Sequence, residues 1–259
     1  MNTVILAAGI GKRLLPFTAA HPKCLLAFGG KSLLCRHLEM MGAAGVQKIA
    51  IVVGHLADQV EAEVKRVNCC VSIELIYNPQ YELGSALSLL KAETAFQNVP
   101  AIIMDADLLF CRVMADRLLE SPAPNCLLVD DRLVDTGEEV KVVAGSNGMV
   151  CGLGKQVRRE GTVVGESVGI YKFSGDTNNK LVTGLRLAVA ENLKVEYEAV
   201  IDSLLEQIEM RYVPVGDLSW IEIDFAADLD RANRETWPAI ANRENMALLT
   251  ATTEKPWIP

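Results

Sequence analysis

Short apolar runs alternate with amphipathic stretches along the first hundred residues, and the two patterns predict different elements. Runs rich in β-branched residues predict strands at 3–8, 48–53, 71–77 and 101–104. Apolar positions with helical spacing predict helices at 32–44, 57–66 and 85–96. Continuously apolar strands separated by helices are typical of a parallel sheet that is covered on both faces. The sequence therefore predicts a Rossmann-like α/β fold with a mostly parallel mixed sheet.

The rest of the chain is less regular but continues without a linker, an internal repeat or a low-complexity tract. Apolar runs predict strands at 126–131, 139–143, 163–173, 210–215 and 220–223. Helical spacing predicts helices at 181–190, 196–208 and 228–235, and the glycines at 145 and 148 predict a tight turn. We therefore expect a single domain over 1–259, in which residues from about 130 to 216 form a lid over the ligand site.

Polar residues and glycine follow the predicted strand ends. Gly9 follows the first strand, Asn78 follows the third, and Asp105 and Asp107 follow the fourth. In open α/β sheets, ligands bind beyond the carboxyl ends of the strands. The fold would thus bring these distant positions to one edge of the sheet, where a binding site is expected.

Charge and composition exclude several classes of function. The formal net charge of −8 disfavours nucleic acid and anionic membranes as partners, although a local basic cluster can still bind a small phosphate compound. No apolar run is long enough for a membrane helix, and the apolar start at residues 4–8 is too short for a signal peptide. The seven cysteines form no CxxC pair, and the three histidines fit no zinc motif. These features predict a cytoplasmic protein with reduced, mostly buried thiols and no zinc site.

The most informative segment is the glycine loop after the first strand, Leu6-Ala7-Ala8-Gly9-Ile10-Gly11-Lys12-Arg13-Leu14. Glycines there allow phosphates to approach the backbone, and Lys12, Arg13 and Lys23 add positive charge. The loop lacks the GxxxxGK[ST] of a P-loop, and Leu14 stands where the GxGxxG dinucleotide fingerprint requires glycine. A plain turn with solvated basic residues is the alternative interpretation of a lone GxG.

The longer string L-A-A-G-x-G-x-R-L-x-P-x-T-x-x-x-P-K, ending at Lys23, resembles the N-terminal signature of the sugar-phosphate nucleotidyltransferase superfamily. Nearly the whole chain resembles its small cytidylyltransferase branch, which includes phosphocholine and phosphonate cytidylyltransferases. The further matching segments are Asn78-Pro79-Gln80-Tyr81, Gly84-Ser85 with Ser88-Leu89, Asp105-Ala106-Asp107, Gly165-Glu166 before Gly169-Ile170-Tyr171-Lys172-Phe173, and Trp220-Ile221-Glu222-Ile223-Asp224 before Asp228-Leu229.

This resemblance implies roles for individual residues. The positions that match the arginine and the lysine on the nucleotide phosphates are Arg13 and Lys23, and those that match the metal pair are Asp107 and Asp224. The residues expected to contact the nucleotide are Leu6, Ala7, Ala8, Gly9, Gly11, Lys12, Asn78, Ser85, Ser88 and Asp105. For Ser85 alone, a helix N-cap is an equally good interpretation.

The predicted carboxylate pair suits the chemistry of nucleotidyl transfer. Two anionic substrates repel each other, and Mg²⁺ held by one or two carboxylates plus phosphate oxygens is the usual means of neutralising that charge. The acceptor's own oxygen can attack the α-phosphorus, so the protein need not supply a nucleophile. By themselves, aspartates after a strand are as often caps or turns, and only the resemblance favours Asp107 and Asp224 as Mg²⁺ ligands.

The acceptor side is less defined by the sequence. The residues expected there are Lys155, Glu166, Glu196, Tyr197, Glu198 and Glu222, with Glu222 and Asp105 as weaker candidates behind the metal pair. A solvated Lys155 is a comparable alternative. Residues 130–143 contain no aromatic side chain for a choline cage, so an amine-bearing phosphonate or a polyol phosphate fits equally well. An amine on the acceptor would pair with Glu196 or Glu198.

These features together predict a Mg²⁺-dependent enzyme that transfers CMP from CTP to a small phosphate or phosphonate acceptor. A sugar-1-phosphate nucleotidyltransferase using UTP, GTP or dTTP is the second choice, and a non-catalytic module that kept the fold is the third. The tail at 239–259, with Trp257, is expected to dock either on its own chain or on a second copy in a homodimer.

Overall fold

The computed structural model describes residues 1–67 and 69–253, with side chains described up to residue 246. The tail residue Trp257 lies outside the described residues. The strands are β1 (Asn2–Ala7), β2 (Ala27–Phe28), β3 (Lys31–Ser32), β4 (Lys48–Val53), β5 (Ser72–Tyr77), β6 (Ala101–Asp105), β7 (Leu108–Phe110), β8 (Cys126–Asp130), β9 (Lys141–Ala144), β10 (Val150–Gly154), β11 (Thr162–Phe173), β12 (Arg211–Pro214) and β13 (Trp220–Glu222).

The helices of the described part are α1 (Leu33–Ala43), α2 (Ala57–Arg66), α3 (Ser85–Lys91), α4 (Glu93–Phe96), α5 (Arg112–Glu120), α6 (Gly175–Glu191), α7 (Tyr197–Leu204), α8 (Ala226–Arg231) and α9 (Trp237–Thr253). A π-helical turn at Ala232–Thr236 joins the last two helices. Single 3₁₀ turns follow β1 at Lys12–Leu14, Phe17–Ala19 and Lys23–Leu25.

One mixed sheet runs through the molecule, and its strand order is β10-β9-β11-β6-β1-β4-β5. The strands β6, β1, β4 and β5 are mutually parallel, whereas β11 is antiparallel to β6 and continues the sheet into the second half of the chain. β8 pairs with β11, and β12 pairs with β8. The predicted lid strands are therefore continuous with the central sheet.

Two hydrophobic layers cover the two faces of this sheet. One layer contains Leu34 of α1 and Met114 of α5, together with Ile240 of α9. The other contains Leu89 of α3 and Leu185 of α6. This arrangement confirms the predicted α/β fold with helices on both faces, because strands buried on both sides need apolar residues throughout.

Most predicted elements are present, with shifted ends. The strand at 48–53 and the helix at 57–66 match the structure, and Ser32 caps α1 by accepting a hydrogen bond from the Cys35 amide at 3.0 Å. The predicted helix at 85–96 is two helices, and the one predicted from 181 begins at Gly175 because Ser174 caps it. The helix α5 and the short strands β7 and β10 were not predicted.

The seven cysteines all lie in described residues and are free thiols, but only Cys24, Cys111 and Cys126 are buried. The prediction that most thiols are buried is therefore wrong: Cys35, Cys69 and Cys151 are partly exposed, and Cys70 is exposed. Among the residues that the structure describes, no helix combines the length and the apolar composition that crossing a bilayer requires.

Candidate active site

A large open cleft of about 1500 Å³ lies at the carboxyl ends of β1 and β6. Residues of the second half of the chain, on β10, β11 and α7, form its other wall. Every residue predicted for the site lines this cleft except Asn78. The parallel strands explain this convergence, because their carboxyl ends meet at one edge of the sheet.

The glycine loop leaves β1 at Ala7 and turns into a 3₁₀ helix at Lys12. Gly11 has a φ of 67°, and a Cβ there would lie 2.9 Å from both the Lys23 and the Thr18 side chains. Thr18 also donates a hydrogen bond to the Gly11 carbonyl at 2.8 Å. Glycine is therefore needed at this position both for the backbone angle and for the close approach of Lys23.

Lys23 lies between the two predicted metal ligands. Its Nζ atom donates a hydrogen bond to Asp107 Oδ2 at 3.1 Å and another to Asp224 Oδ1. Burial alone would lower the pKa of Lys23, but the carboxylates of Asp107 and Asp224 raise it above its usual value. Lys23 thus stays charged and balances part of the negative charge of the pair.

A third carboxylate, Glu222, joins Asp107 and Asp224. Each of the three side chains has one carboxylate oxygen that lies within 4.8 Å of an oxygen of the other two. The antiparallel pair β13–β7 produces this contact, because it places Glu222 beside Leu108, and the Ile223 amide donates to the Asp107 carbonyl at 3.1 Å. The acidic oxygen set suits a hard divalent cation.

Glu222 was predicted on the acceptor side and as a weaker candidate behind the metal pair, and the structure groups it with the two aspartates. Its side chain reaches solvent at the cleft surface. Loss of solvation within the cleft, and then the charges of Asp107 and Asp224, raise the pKa of Glu222 to about 8. A cation bound beside Glu222 would therefore favour the ionised form of this side chain.

Asp105 lies behind this group and is held by the lid helix. Tyr197, at the start of α7, donates its hydroxyl to Asp105 Oδ2 at 2.7 Å. Burial, and then the charges of Glu198, Asp107 and Glu222, raise the pKa of Asp105 well above its usual value. Tyr197, which was predicted to contact the acceptor, is 1% exposed, and its hydroxyl attaches α7 to Asp105 at the end of β6.

The first turns of α3 and α7 cap each other. The Ser85 amide donates to Glu196 Oε2 at 2.9 Å, and the Tyr197 amide donates to Ser85 Oγ at 2.9 Å. Gly84 allows this contact, because a Cβ there would lie 2.1 Å from the Val195 carbonyl oxygen. Ser85 and Glu196, both predicted to contact a ligand, are thus engaged in bonds between the two helices. Ser85 is not the N-cap of its own helix, because Gly84 is the N-cap of α3 and the Ser85 hydroxyl accepts from the first amide of α7.

Asn78 was predicted to contact the nucleotide, but it is fully buried and lies outside the cleft wall. Its Nδ2 donates to Ser88 Oγ at 3.0 Å, and its Oδ1 accepts from the Gln80 amide at 3.0 Å. The direct-contact prediction for Asn78 is therefore corrected: in this structure it orients Ser88, which does line the cleft.

Two further predicted residues, Glu166 and Glu198, carry carboxylates that face the cleft. Burial raises the pKa of Glu198 to about 7. Burial, and then the charges of Asp130 and Glu139, raise the pKa of Glu166 to about 7. Both groups can therefore exchange a proton near neutral pH.

Polar groups that the sequence did not single out complete the cleft wall. Asp130, at the end of β8, accepts two side-chain bonds from Arg132 at 2.8 and 2.7 Å and one from Trp220 Nε1 at 2.6 Å. Glu138 contacts Arg13 and Lys155. No spacing in the sequence marks these residues, because their partners lie up to 125 residues away.

Two of the three histidines, His37 and His55, make contacts within the fold. His37 is buried against Phe110, and its Nε2 lies 2.8 Å from the Leu108 carbonyl oxygen, which fixes it as the donor. Burial lowers the pKa of His37 to about 4, so the ring is neutral. His55 Nε2 lies 3.2 Å from the Thr18 carbonyl oxygen behind the glycine loop.

The fold and the cleft together define a nucleotidyltransferase of the α/β type. The chain belongs to the MobA-like NTP transferase family, whose model matches residues 3–137. That range holds the glycine loop, Lys23 and Asp107, while Asp224 lies beyond it. The family match confirms the resemblance from which the nucleotidyltransferase activity was predicted.

Individual relatives cover nearly the whole chain. The CTP:phosphoglutamine cytidylyltransferase of Campylobacter jejuni is 24% identical over 252 residues, which is 89% of this chain and 98% of that protein. The 2-aminoethylphosphonate cytidylyltransferase of Lancefieldella rimae is 26% identical over 233 residues, which is 88% of this chain and 90% of that protein. Both proteins carry names of the branch that the sequence resembles.

A solved structure shares the fold across most of the chain. The CTP:phosphocholine cytidylyltransferase of Streptococcus pneumoniae superposes with a TM-score of 0.73 at 21% identity and covers 90% of this chain and 97% of that one. This likeness confirms the predicted fold class.

Proposed function

We propose that this chain transfers CMP from CTP to a small acceptor that carries a phosphate or phosphonate group and releases pyrophosphate. The observation that carries the proposal is the convergence of Lys23, Arg13, Asp107 and Asp224 beside the glycine loop in one cleft. A set of cations and carboxylates next to open backbone N–H groups suits a reaction between two anionic substrates.

The transfer itself requires no nucleophile from the protein. An oxygen of the acceptor's phosphate or phosphonate group attacks the α-phosphorus of CTP and forms a new P–O bond. The bond from the α-phosphorus to the bridging oxygen breaks, and pyrophosphate leaves with the electron pair. The protein holds the two reactants in line, and Arg13 and Lys23 offset negative charge on the phosphates.

A magnesium ion fits the acidic group of the site. Asp107, Asp224 and Glu222 offer oxygens only, which is the ligand type that Mg²⁺ prefers. When bound, Mg²⁺ would supply charge neutralisation between the anionic substrates. We propose Asp107 and Asp224 as its main ligands, with Glu222 beside them.

The choice of CTP rests on the relatives and on one part of the cleft. The relatives from Campylobacter jejuni and Lancefieldella rimae, which span 89% and 88% of the chain, are named cytidylyltransferases. Gly84-Ser85 and Ser88 resemble that branch, and of these Ser85 and Ser88 lie at the start of α3 and line the cleft. The mutual capping of Ser85 and Glu196 leaves Ser88, held by Asn78, as the better candidate for a direct contact with the nucleoside.

For the acceptor, the structure favours Glu198 over Glu196 as the partner of an amine. Glu196 accepts a hydrogen bond from the Ser85 amide across the α3–α7 contact, whereas the Glu198 carboxylate interacts with a backbone N–H of its own residue and lines the cleft. An ammonium group would favour the charged form of Glu198 and compensate for its lost solvation. An amine-bearing phosphate or phosphonate is therefore our preferred acceptor.

A substrate panel tests this function. Pyrophosphate release is measured with the four NTPs, crossed with phosphocholine, 2-aminoethylphosphonate, phosphoglutamine, inositol phosphate and hexose-1-phosphates. We expect CTP with an amine-bearing acceptor to give the highest kcat/KM. A clear preference for UTP or dTTP with a hexose-1-phosphate would instead identify a sugar-1-phosphate nucleotidyltransferase.

A further inference from the structure

One carboxylate oxygen in the cleft is shared by two cations from distant elements. Glu138 Oε2 lies 3.1 Å from Arg13 NH1 and 2.8 Å from Lys155 Nζ. Arg13 belongs to the 3₁₀ turn after β1, and Lys155 directly follows β10. Glu138 therefore closes a bridge across the mouth of the cleft, from the glycine loop to the opposite wall.

The turn that presents Glu138 is organised by its other residues. Glu139 accepts hydrogen bonds from the Thr136 amide at 2.8 Å, the Thr136 hydroxyl at 2.6 Å and the Gly137 amide at 3.1 Å. Asp135 pairs with Lys141, the first residue of β9, at 2.6 Å. The position of the turn thus does not depend on the Glu138 side chain, which is free to bind or to release its two partners.

The same two cations are the groups expected to meet substrate phosphates. Arg13 is proposed to contact the nucleotide and Lys155 the acceptor, so this step rests on the proposed function. A carboxylate and a phosphate offer similar anionic oxygens to a guanidinium or an ammonium group. Glu138 presents such an oxygen to both cations at once, as a bound phosphate group would.

The bridge is weak enough for a substrate to replace it. The side chains of Arg13, Lys155 and Glu138 are 44%, 48% and 56% exposed, and exposed ion pairs contribute little. Arg13 also keeps other contacts, because it pairs with Asp224 at 2.5 Å and lies over the Phe225 ring at 5.0 Å. Releasing Glu138 would thus leave Arg13 at the site.

We infer that Glu138 is an internal phosphate mimic, which holds Arg13 and Lys155 in the free enzyme and is displaced when substrate phosphates bind. The 131–140 segment then acts as a strap across the mouth of the cleft and competes with the substrate. Its effect is on substrate affinity, since Glu138 is not needed for the chemical step.

The inference is tested by calorimetric binding of two probes, CTP with Mg²⁺ and inorganic tripolyphosphate, to the wild type and to Glu138→Gln. Removing the competing carboxylate should lower the Kd of both probes by about two- to fivefold, the range expected for an exposed ion pair. The matched control is Asp131→Asn, which removes one negative charge from the same segment without a contact to either cation. We expect its Kd values to stay within about 1.5-fold of the wild type.

A double variant locates the effect. If Glu138 competes through Lys155, the gain from Glu138→Gln should shrink when Lys155→Met is already present. Equal affinities for Glu138→Gln and Asp131→Asn, or weaker binding by Glu138→Gln, would overturn the inference. Tripolyphosphate binding without CTP binding would contradict the proposed nucleotide but leave the strap intact, whereas binding of neither probe to any variant would contradict both.

Discussion

At the scale of single residues, Lys23 is a cation held between two carboxylates of the cleft. It bridges Asp107 and Asp224, and its charge partly offsets the repulsion among these two carboxylates and Glu222. A substrate phosphate would offer Lys23 a competing anion as negative charge builds up on the leaving pyrophosphate. A flexible lysine suits such a change of partner better than a planar arginine.

We therefore predict that Lys23→Ala lowers kcat by about a hundredfold or more while raising the KM for CTP only slightly. The physical reason is that the interaction becomes strong chiefly in the transition state. Steady-state kinetics at saturating acceptor measure the split. Lys12→Ala is the comparison variant, since Lys12 is an exposed cation of the same loop and should affect mainly KM. A rise in KM alone for Lys23→Ala would make Lys23 a ground-state binder.

At the scale of elements, the paired N-termini of α3 and α7 determine which glutamate can meet the acceptor. Glu196 and Glu198 are two residues apart, and the sequence alone predicts the same role for both. Both side chains line the cleft, and the packing of α7 against α3 separates them because it brings Glu196 to the Ser85 amide. This assignment depends on a contact between residues 111 apart, which no local pattern encodes.

We predict different outcomes for these two glutamates. Glu196→Ala should lower the free energy of unfolding by about 1 kcal/mol, the usual value of a lost helix cap, and should affect all acceptors alike. Glu198→Gln should instead raise KM about tenfold for amine-bearing acceptors and spare polyol phosphates. Denaturant unfolding and kinetics with both acceptor types measure the two effects. Equal selectivity in the two variants would reject this division.

Short elements also explain what the sequence could not predict. The strands β1, β4 and β6 have continuous apolar runs, and they were predicted within one or two residues. In contrast, β7 and β13 are three residues each, and their pairing exists only because the rest of the fold brings them together. That pairing is what places Glu222 and Asp224 beside Asp107, and no local pattern in the sequence shows that Glu222 lies as close to the pair as it does.

At the scale of the whole molecule, the sheet links the two walls of the cleft. The glycine loop follows β1, and Asp107 follows β6, which pairs with β1. On its other side, β6 pairs with β11, which carries Glu166 and pairs in turn with β9 of the opposite wall. Because the site draws on both halves of the chain, a ligand that contacts both walls should stabilise the entire fold. Such stabilisation grows with ligand concentration over Kd and can be measured without turnover.

We predict that Mg²⁺ with CTP raises the melting temperature of the wild type by about 5–10 °C at a hundredfold excess over Kd. Such an excess is worth about 2.7 kcal/mol, and a chain of this size shifts by about 2–4 °C per kcal/mol. Asp107→Asn and Asp224→Asn should remain folded but lose most of the Mg²⁺-dependent part of this shift in melting temperature, because each variant removes an oxygen ligand with its charge. For the same reason, each variant should lower kcat by orders of magnitude. Thermal unfolding with Mg²⁺ or EDTA measures the shift, and Asp131→Asn controls for the loss of one negative charge. An unchanged shift in EDTA, or near-normal turnover by either variant, would show that these two aspartates do not hold the ion.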